Sequence, residues 1–163
     1  MNKKVLVIGL VLAFAMLTLP ISAVLADSPM IEVSGTITSG GASSIVKQAG
    51  ENTFISITTA STWAGGISGS TTGYQTWIAH KVSPLPPDFV NINAEIFFTT
   101  ATVDGKTGTM TIELNMISYP THQSDNHGTW RIKDATGELI GLHGEGAWLS
   151  APNRYEGKVH FSE

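Results

Sequence analysis

A glycine-rich corner between two alternating runs constrains this sequence more than any other stretch. Residues 128–150 read GTWRIKDATGELIGLHGEGAWLS, and apolar and polar side chains alternate at Thr129–Lys133 and again at Glu145–Leu149. A period of two places Trp130 on one face and Arg131 on the other, as in a strand that buries one side. Glycines at this density permit positive φ angles and close backbone approach, so the stretch predicts a sharp corner between two β-strands.

The chain before this corner also has the composition of an all-β protein. After Asp27, short runs rich in Val, Ile, Thr, Phe and Trp are separated by Gly, Pro, Asn and Asp. We predict a loop over residues 40–52, a tight glycine corner or bulged strand over 65–73 and a proline-rich loop over 83–88. The first three strands are predicted at Ile31–Thr38, Asn52–Ala64 and Tyr74–Val82.

A hairpin over residues 90–116 predicts its own register. Apolar residues share even positions on both arms, so they can face one side only if paired residue numbers sum to an even value. The loop must then contain an odd number of residues, and we predict a three-residue turn over 103–105 with Gly105 in the left-handed conformation. The predicted pairs are Phe98 with Met110, Ile96 with Ile112 and, on the outer face, Glu95 with Glu113.

With a final alternating run at Arg154–Ser162, the count reaches about eight strands. Eight antiparallel strands can close into a barrel that is filled by side chains or holds one small ligand, and closure removes exposed sheet edges. The sequence therefore predicts an all-β, closed antiparallel barrel as a single domain over residues 27–163.

The first 26 residues have the pattern of a secretory signal peptide. Lys3 and Lys4 precede an apolar run that Pro20 interrupts, and small residues lead up to Ala26. We predict a signal helix that is cleaved after Ala26 and export of the barrel from the cytoplasm; the alternative is an uncleaved N-terminal membrane anchor. The chain has no cysteine, which excludes disulfides and thiolate catalysis. Without the two lysines it has seven basic against 13 acidic residues, which argues against nucleic-acid binding.

Aromatic residues on the predicted inner face are the candidate ligand contacts. In a barrel such residues form the core first and contact a ligand second. The candidate catalytic residues of this set are His80, which can act as an acid or base near neutral pH, and Tyr155. The complete candidate set is Trp63, Tyr74, His80, Phe98, Trp130, Trp148 and Tyr155.

Two further groups of polar residues are candidate sites. His122, Asp125 and His127 are metal-ligand types in one loop, although solvated loop histidines are far commoner, and no metal or other cofactor is predicted. Glu95 and Glu113 form a carboxylate pair, but their parity places them outside the barrel, which favours a solvated surface pair.

Three motifs resemble those of a known family. GKTG (105–108), GELIGLHGEG (137–146) and YEGKVHF (155–161) are similar to an uncharacterised prokaryotic family of allene oxide cyclase-like barrels, with the resemblance covering about residues 54–161. The resemblance implies an eight-stranded barrel and a homo-oligomer. The plant cyclases of that superfamily shape a bound oxylipin in an apolar cavity, but no catalytic residue of theirs matches a position here.

Three functions follow as expectations. The first is an exported barrel that binds a small apolar or amphipathic molecule or forms a homo-oligomeric scaffold. The second is a cyclase- or isomerase-like enzyme on a lipid-derived substrate, with His80 or Tyr155 assisting. The third is a cell-surface adhesion or matrix protein.

Overall fold

Eight antiparallel strands form a closed barrel in the computed structural model, which describes residues 28–80, 87–149 and 153–162. Each strand pairs with the next along the chain, and β8 returns to pair with β1. The predicted all-β closed barrel is confirmed. The predicted signal segment, Val82, Ser83–Pro86 and Ser150 lie outside the described residues. The strands are β1 Ile31–Ala49, β2 Asn52–Gly65, β3 Ile67–His80, β4 Phe89–Val103, β5 Lys106–Ser118, β6 His127–Ala135, β7 Leu142–Leu149 and β8 Arg154–Phe161, with 3₁₀ turns at Gln123–Asp125 and Gly137–Leu139.

The barrel wall is taller on one side than on the other. Strands β1 to β5 have 13 to 19 residues, whereas β6, β7 and β8 have nine, eight and eight. The pairing of β1 with β8 is limited to Ile31–Thr36, so the rest of β1 rises above β8. This upper part pairs with β2 as far as the Ala49–Asn52 pair. Because β6, β7 and β8 are short, the barrel is less covered at the end where β1 finishes, which is called the upper end below.

The predicted loop over residues 40–52 is wrong. β1 continues to Ala49, and a bulge between Ser39 and Ala42 takes up Gly40 and Gly41. Small polar residues here do not break the strand, because backbone hydrogen bonds to β2 satisfy the ladder whatever the side chains are. This upper part of β1 has exposed apolar side chains, with Ile45 69% and Val46 60% exposed.

The register predicted for the β4–β5 hairpin is confirmed, but its turn is not the predicted one. Phe98 pairs with Met110, Ile96 with Ile112 and Glu95 with Glu113. The turn has two residues, Asp104 and Gly105, with φ angles of 51° and 75°, as in a type I′ turn. A bulge between Phe98 and Ala101 adds one residue to β4, so the numbers of paired residues again sum to an even value from Phe98 and Met110 onward.

The glycine corner closes the lower end of the barrel. Its 3₁₀ turn places Leu139 in the main core with no exposed surface. Nearby, Trp130 lies over the paired glycines Gly146 and Gly157, where a Cβ atom would come within 2.7 Å and 2.5 Å of its ring. Trp130 is 1% exposed, as the alternation predicted, and the same core holds Phe98 and Ile112 at 0%.

The Glu95–Glu113 pair lies on the outer wall as predicted and is neutralised there by β6. Lys133 Nζ lies 2.8 Å from Glu95 Oε1 and 3.6 Å from Glu113 Oε1, while Arg131 contacts Glu113 Oε2 at 2.5 Å. The hydrogen bond from Arg131 lowers the pKa of Glu113, and the one to Glu95 raises the pKa of Lys133. The two carboxylates and the two cations therefore form a solvent-exposed network of salt bridges.

Candidate ligand cavity

A cavity of about 330 Å³ occupies the upper half of the barrel interior. Its lower boundary includes Trp63 and Trp148, whose rings meet edge to face at 5.8 Å between centroids. Its rim includes Asn126 and Asn153, which directly precede the two short strands β6 and β8. The lining residues are Ser39, Ala42, Ile57, Thr59, Ser61, Trp63, Gln75, Trp77, Ile92, Ile96, Leu114, Met116, Asn126, Trp148 and Asn153.

Packing below the cavity fixes the position of Trp63. Its ring contacts Phe98 at 5.1 Å and Tyr155 at 4.8 Å between centroids, so the lower half of the barrel is a solid aromatic and aliphatic core. Edge-to-face and tilted aromatic contacts of this kind are favourable beyond the area that they bury. The cavity therefore has a rigid aromatic lower wall.

A short hydrogen-bonded chain orients the polar side of the cavity. The indole N–H of Trp77 donates to Gln75 Oε1 at 2.8 Å, and Gln75 Nε2 donates to Thr59 Oγ1 at 3.2 Å. Because an indole nitrogen only donates, the amide oxygen of Gln75 must face Trp77 and its nitrogen must face Thr59. The amide is thus held in one orientation.

The indole nitrogen of Trp63 differs from that of Trp77. Trp63 is 2% exposed, and its Nε1–H has no hydrogen-bond acceptor among the described residues. A buried indole N–H ordinarily has a partner, because leaving a donor unpaired away from water costs free energy. The Nε1–H of Trp63 is itself buried, so it is an unpaired donor within the core beneath the cavity.

The cavity lining described by the structure is electrically neutral. It contains no Asp, Glu, Lys, Arg or His among the described lining residues, and its polar members are amides, hydroxyls and indole groups. An ion transferred into such a site loses its hydration without gaining a counter-charge.

Tyr155 is engaged in holding the barrel together and does not line the cavity. Its hydroxyl accepts a hydrogen bond from the N–H of Ile67 at 2.7 Å and donates one to the carbonyl of the same residue at 2.6 Å. Burial raises the pKa of the phenol, and the hydrogen bond from Ile67 offsets part of that rise. The neutral hydroxyl forms two hydrogen bonds and therefore has a structural role.

His80 lies at the end of β3, outside the cavity lining. Its ring stacks on Phe89 at 4.6 Å between centroids, and its Nε2 accepts a hydrogen bond from Asn91 Nδ2 at 2.9 Å. The prediction that His80 shares an inward face with Tyr74 is wrong, because the inner face of β3 is the other one. Tyr74 is 58% exposed on the outer wall.

The structure divides the remaining candidates between the cavity and the core beneath it. Trp63 and Trp148 line the cavity, whereas Phe98 and Trp130 are buried in the core. The residue that sequence reasoning missed is Trp77. Ile57 pairs with Gln75 on the neighbouring strand, so Gln75 and Trp77 share the inner face with Ile57 once that pairing is known.

The histidines of the loop before β6 make local contacts. His127 Nδ1 donates to the backbone oxygen of Asp125 at 2.8 Å, and His122 Nδ1 lies 3.0 Å from Thr121 Oγ1. No three side chains of His, Asp or Glu that could hold a metal ion come together in the described part of the chain. His122, Asp125 and His127 are accordingly not brought into one ligand set.

The fold and the cavity together define a small eight-stranded antiparallel β-barrel that is packed at one end and hollow at the other. A protein of unknown function from the DUF3224 family of Shewanella oneidensis has a similar fold, with a TM-score of 0.62 and 16% identity over 83% of this chain and 99% of that chain. No family model and no curated protein matches the sequence. The similarity shows the fold, and the resemblance to allene oxide cyclase-like barrels is not confirmed by it. In the described ranges no helix is long and apolar enough to cross a membrane.

Proposed function

We propose that this barrel binds a small amphipathic molecule in its upper cavity. The observation that carries the proposal is the cavity itself, which measures about 330 Å³ and has three tryptophans in its wall. Ligand sites in proteins have this size range, combine an apolar lining with a few fixed polar groups, and occur in the mouths of β-barrels. The solid core beneath would hold the shape of the site, since packed interiors resist deformation.

The lining suggests how a ligand would be held. Ile57, Ile92 and Met116 offer aliphatic contacts, and Trp77 offers a flat aromatic face whose orientation Gln75 fixes. Preorganised side chains lose little entropy on binding, which favours affinity at a small contact area.

A pair of phenylalanine variants tests the proposal. Ala42 lines the cavity from β1 and is exposed, so Ala42→Phe would fill the cavity without disturbing the core. Ala60 is exposed on β2 but outside the lining, so Ala60→Phe is the matched control. With the neutral fluorophore N-phenyl-1-naphthylamine as probe, we expect at least tenfold weaker binding to Ala42→Phe and unchanged binding to Ala60→Phe. Equal affinity in both variants would show that the probe binds elsewhere.

The cavity supports binding better than it supports catalysis. A cyclase-like reaction, as the resemblance to allene oxide cyclase-like barrels suggests, needs an acid or base in contact with the substrate. The two candidates, His80 and Tyr155, are engaged with Asn91 and Ile67 and do not line the cavity. We therefore propose that this barrel encloses a ligand as the allene oxide cyclase-like barrels do, and we assign no reaction to it.

We also propose that the barrel is exported after removal of residues 1–26 and that it self-associates. Support for self-association comes from β1, because no described strand pairs with its outer edge beyond Thr36. Ile45 and Val46 are exposed on this upper part of β1. An unpaired apolar edge is a template for pairing, and a second copy can pair with the same edge about a twofold axis.

A further inference from the structure

We infer that the cavity recognises a ring compound that carries hydroxyl groups along one edge and is apolar along the opposite edge. The inference rests on the proposed function and deepens it by naming the ligand class. It follows from the arrangement of the lining, in which one wall carries hydrogen-bonding side chains and the facing wall carries aliphatic ones.

The polar wall lies on β1, β2 and β3. Its hydrogen-bonding side chains, which together we call the polar strip, are Ser39, Thr59, Ser61 and Gln75. The strip is continuous, because Ser39 pairs directly with Ser61 and because Gln75 Nε2 donates to Thr59 Oγ1 at 3.2 Å. Ser39 is exposed and the other three are half-buried, so all four retain accessible surface while lining the cavity. A ligand in the cavity can therefore reach them.

The aliphatic wall lies on β4 and β5, where Ile92, Ile96, Leu114 and Met116 line the cavity. In a closed barrel of eight strands, β5 is four strands away from β1 in either direction and therefore lies across the interior from it. Leu114 and Met116 accordingly face the wall to which Ser39 belongs. Such a wall contributes hydrophobic and van der Waals contacts to the apolar edge of a ligand.

The depth of the polar strip distinguishes a polar edge from a polar end. Toward the upper end of the barrel, the same three strands continue with the apolar lining residues Ala42, Ile57 and Trp77. The lower boundary consists of Trp63 and Trp148. A ligand with one polar head would direct that head to the mouth and lay its apolar tail against the strip, whose groups would lose water without a replacement partner. Polar groups along one edge of the ligand avoid this cost.

Hydroxyl groups are the polar groups that match this strip. Ser39, Thr59 and Ser61 each carry a hydroxyl, which can both donate and accept a hydrogen bond. A hydroxyl of the ligand has the same double capacity, so two hydroxyls on adjacent ring carbons can pair with two groups of the strip in either direction. A carbonyl oxygen only accepts, and it would use half of what the strip offers.

Two isomers of equal size and composition distinguish an edge from an end. 2,3-Dihydroxynaphthalene carries both hydroxyls on one edge, whereas 2,6-dihydroxynaphthalene carries them at opposite ends. The cavity of about 330 Å³ has the volume of roughly ten water molecules at about 30 Å³ each, which suits two fused rings. In isothermal titration calorimetry of the full chain at neutral pH, we expect the 2,3-isomer to bind at least fivefold more tightly.

The other outcomes separate the inference from the proposed function. Equal affinity of the two isomers, or tighter binding of the 2,6-isomer, would overturn the inference and leave the proposed cavity function standing. The same holds if neither isomer binds while N-phenyl-1-naphthylamine does. Failure of all three compounds to bind would overturn both.

A pair of double variants on β2 tests the polar strip itself. Thr59→Val, Ser61→Ala removes two hydroxyls from the cavity side of the strand. Thr58→Val, Thr62→Val is the matched control, because both residues are exposed and alternate with the lining residues, which places them on the outer face. We expect the preference for the 2,3-isomer to fall at least threefold in the first variant and to stay unchanged in the control. An equal preference in the two variants would contradict the inference.

The orientation of the ligand can be read from the wild-type complex, so this measurement does not depend on the folding of a variant. In the complex with 2,3-dihydroxynaphthalene, we expect nuclear Overhauser effects between the ring protons of the unsubstituted edge and the Met116 methyl group. The two ring protons that flank the hydroxyls should contact the Thr59 methyl group. The reverse pattern, with the unsubstituted edge against Thr59, would overturn the assignment of the two walls.

Discussion

The hydroxyl of Tyr155 forms both of its hydrogen bonds with one residue, Ile67, whose N–H it accepts and whose carbonyl it donates to. The two residues are 88 positions apart and belong to β8 and β3, which are not neighbours in the barrel. The contact therefore ties opposite parts of the wall across the interior. Gly35 makes room for it, since a Cβ atom there would lie 2.6 Å from the hydroxyl oxygen.

Removal of this hydroxyl should destabilise the barrel. In Tyr155→Phe the N–H and carbonyl of the buried Ile67 lose their shared partner, and each unpaired group costs about 1–3 kcal/mol. We expect a loss of about 2–4 kcal/mol in the free energy of unfolding, measured by urea denaturation. Tyr74→Phe is the matched control, because Tyr74 is 58% exposed and should change stability by less than about 0.5 kcal/mol. Similar losses in the two variants would rule out the proposed tie.

Alkaline pH should weaken the same contact. Burial raises the pKa of Tyr155, so the folded state holds the phenolic proton more tightly than the unfolded chain does. The stabilisation is complete below the unfolded pKa of about 10 and is lost as the pH rises through the higher folded pKa. The free energy of unfolding should therefore fall more steeply above about pH 10 in the wild type than in Tyr155→Phe. Parallel pH profiles for the two proteins would contradict this account.

The close approach of β7 and β8 under Trp130 makes Gly157 intolerant of a side chain. A Cβ atom there would lie 2.3 Å from the carbonyl oxygen of Glu145 and 2.5 Å from Trp130 Cζ2. We expect Gly157→Ala to destabilise the protein by about 2–3 kcal/mol in urea denaturation, as overpacking does. Gly41→Ala is the control, because nothing lies within 4 Å of its Cβ position. That variant should be neutral or slightly stabilising, and a comparable loss there would show that glycine content rather than packing matters.

The sequence predicted most where one face of a strand is buried and the other is polar. In β4 and β5 the apolar residues occupy one parity, so the pairing of Phe98 with Met110 followed from the pattern alone. The turn was not predictable in the same way, because a bulge and a three-residue loop change the register equally. The observed two-residue turn at Asp104 and Gly105 depends on the bulge near Phe98.

The candidate site was only partly predictable, because apolar residues occur on both faces of β3. Tyr74 and Ile78 lie on one parity and Trp77 and Ala79 on the other, so the pattern does not identify the inner face. The burial of Ala79 and the exposure of Tyr74 decide the matter in the structure. The upper part of β1, residues 40–49, escaped prediction for a different reason, since a strand segment with two exposed faces has no alternation to detect.

Self-association through the β1 edge makes a prediction about surface charge. Lysine on an edge strand opposes pairing with another chain. If two copies pair along β1, the double variant Ile45→Lys, Val46→Lys should have half the molar mass of the wild type in size-exclusion chromatography with light scattering. The control is Ile140→Lys, since Ile140 is 71% exposed and lies at the opposite end of the barrel. A wild type that is monomeric, or a double variant of unchanged mass, would exclude this interface.

Ligand binding to the folded barrel should raise its melting temperature by an amount that mass action fixes. A neutral probe at 100 times its dissociation constant stabilises a single-site protein by about 2.7 kcal/mol, which corresponds to a rise of about 10 °C for a domain of this size. The rise should disappear in Ala42→Phe at the same probe concentration and persist in Ala60→Phe, because only the first position lines the cavity. Differential scanning calorimetry measures both. A rise that survives in Ala42→Phe would assign the probe to the outer wall, since a filled cavity cannot contribute binding energy to the folded state.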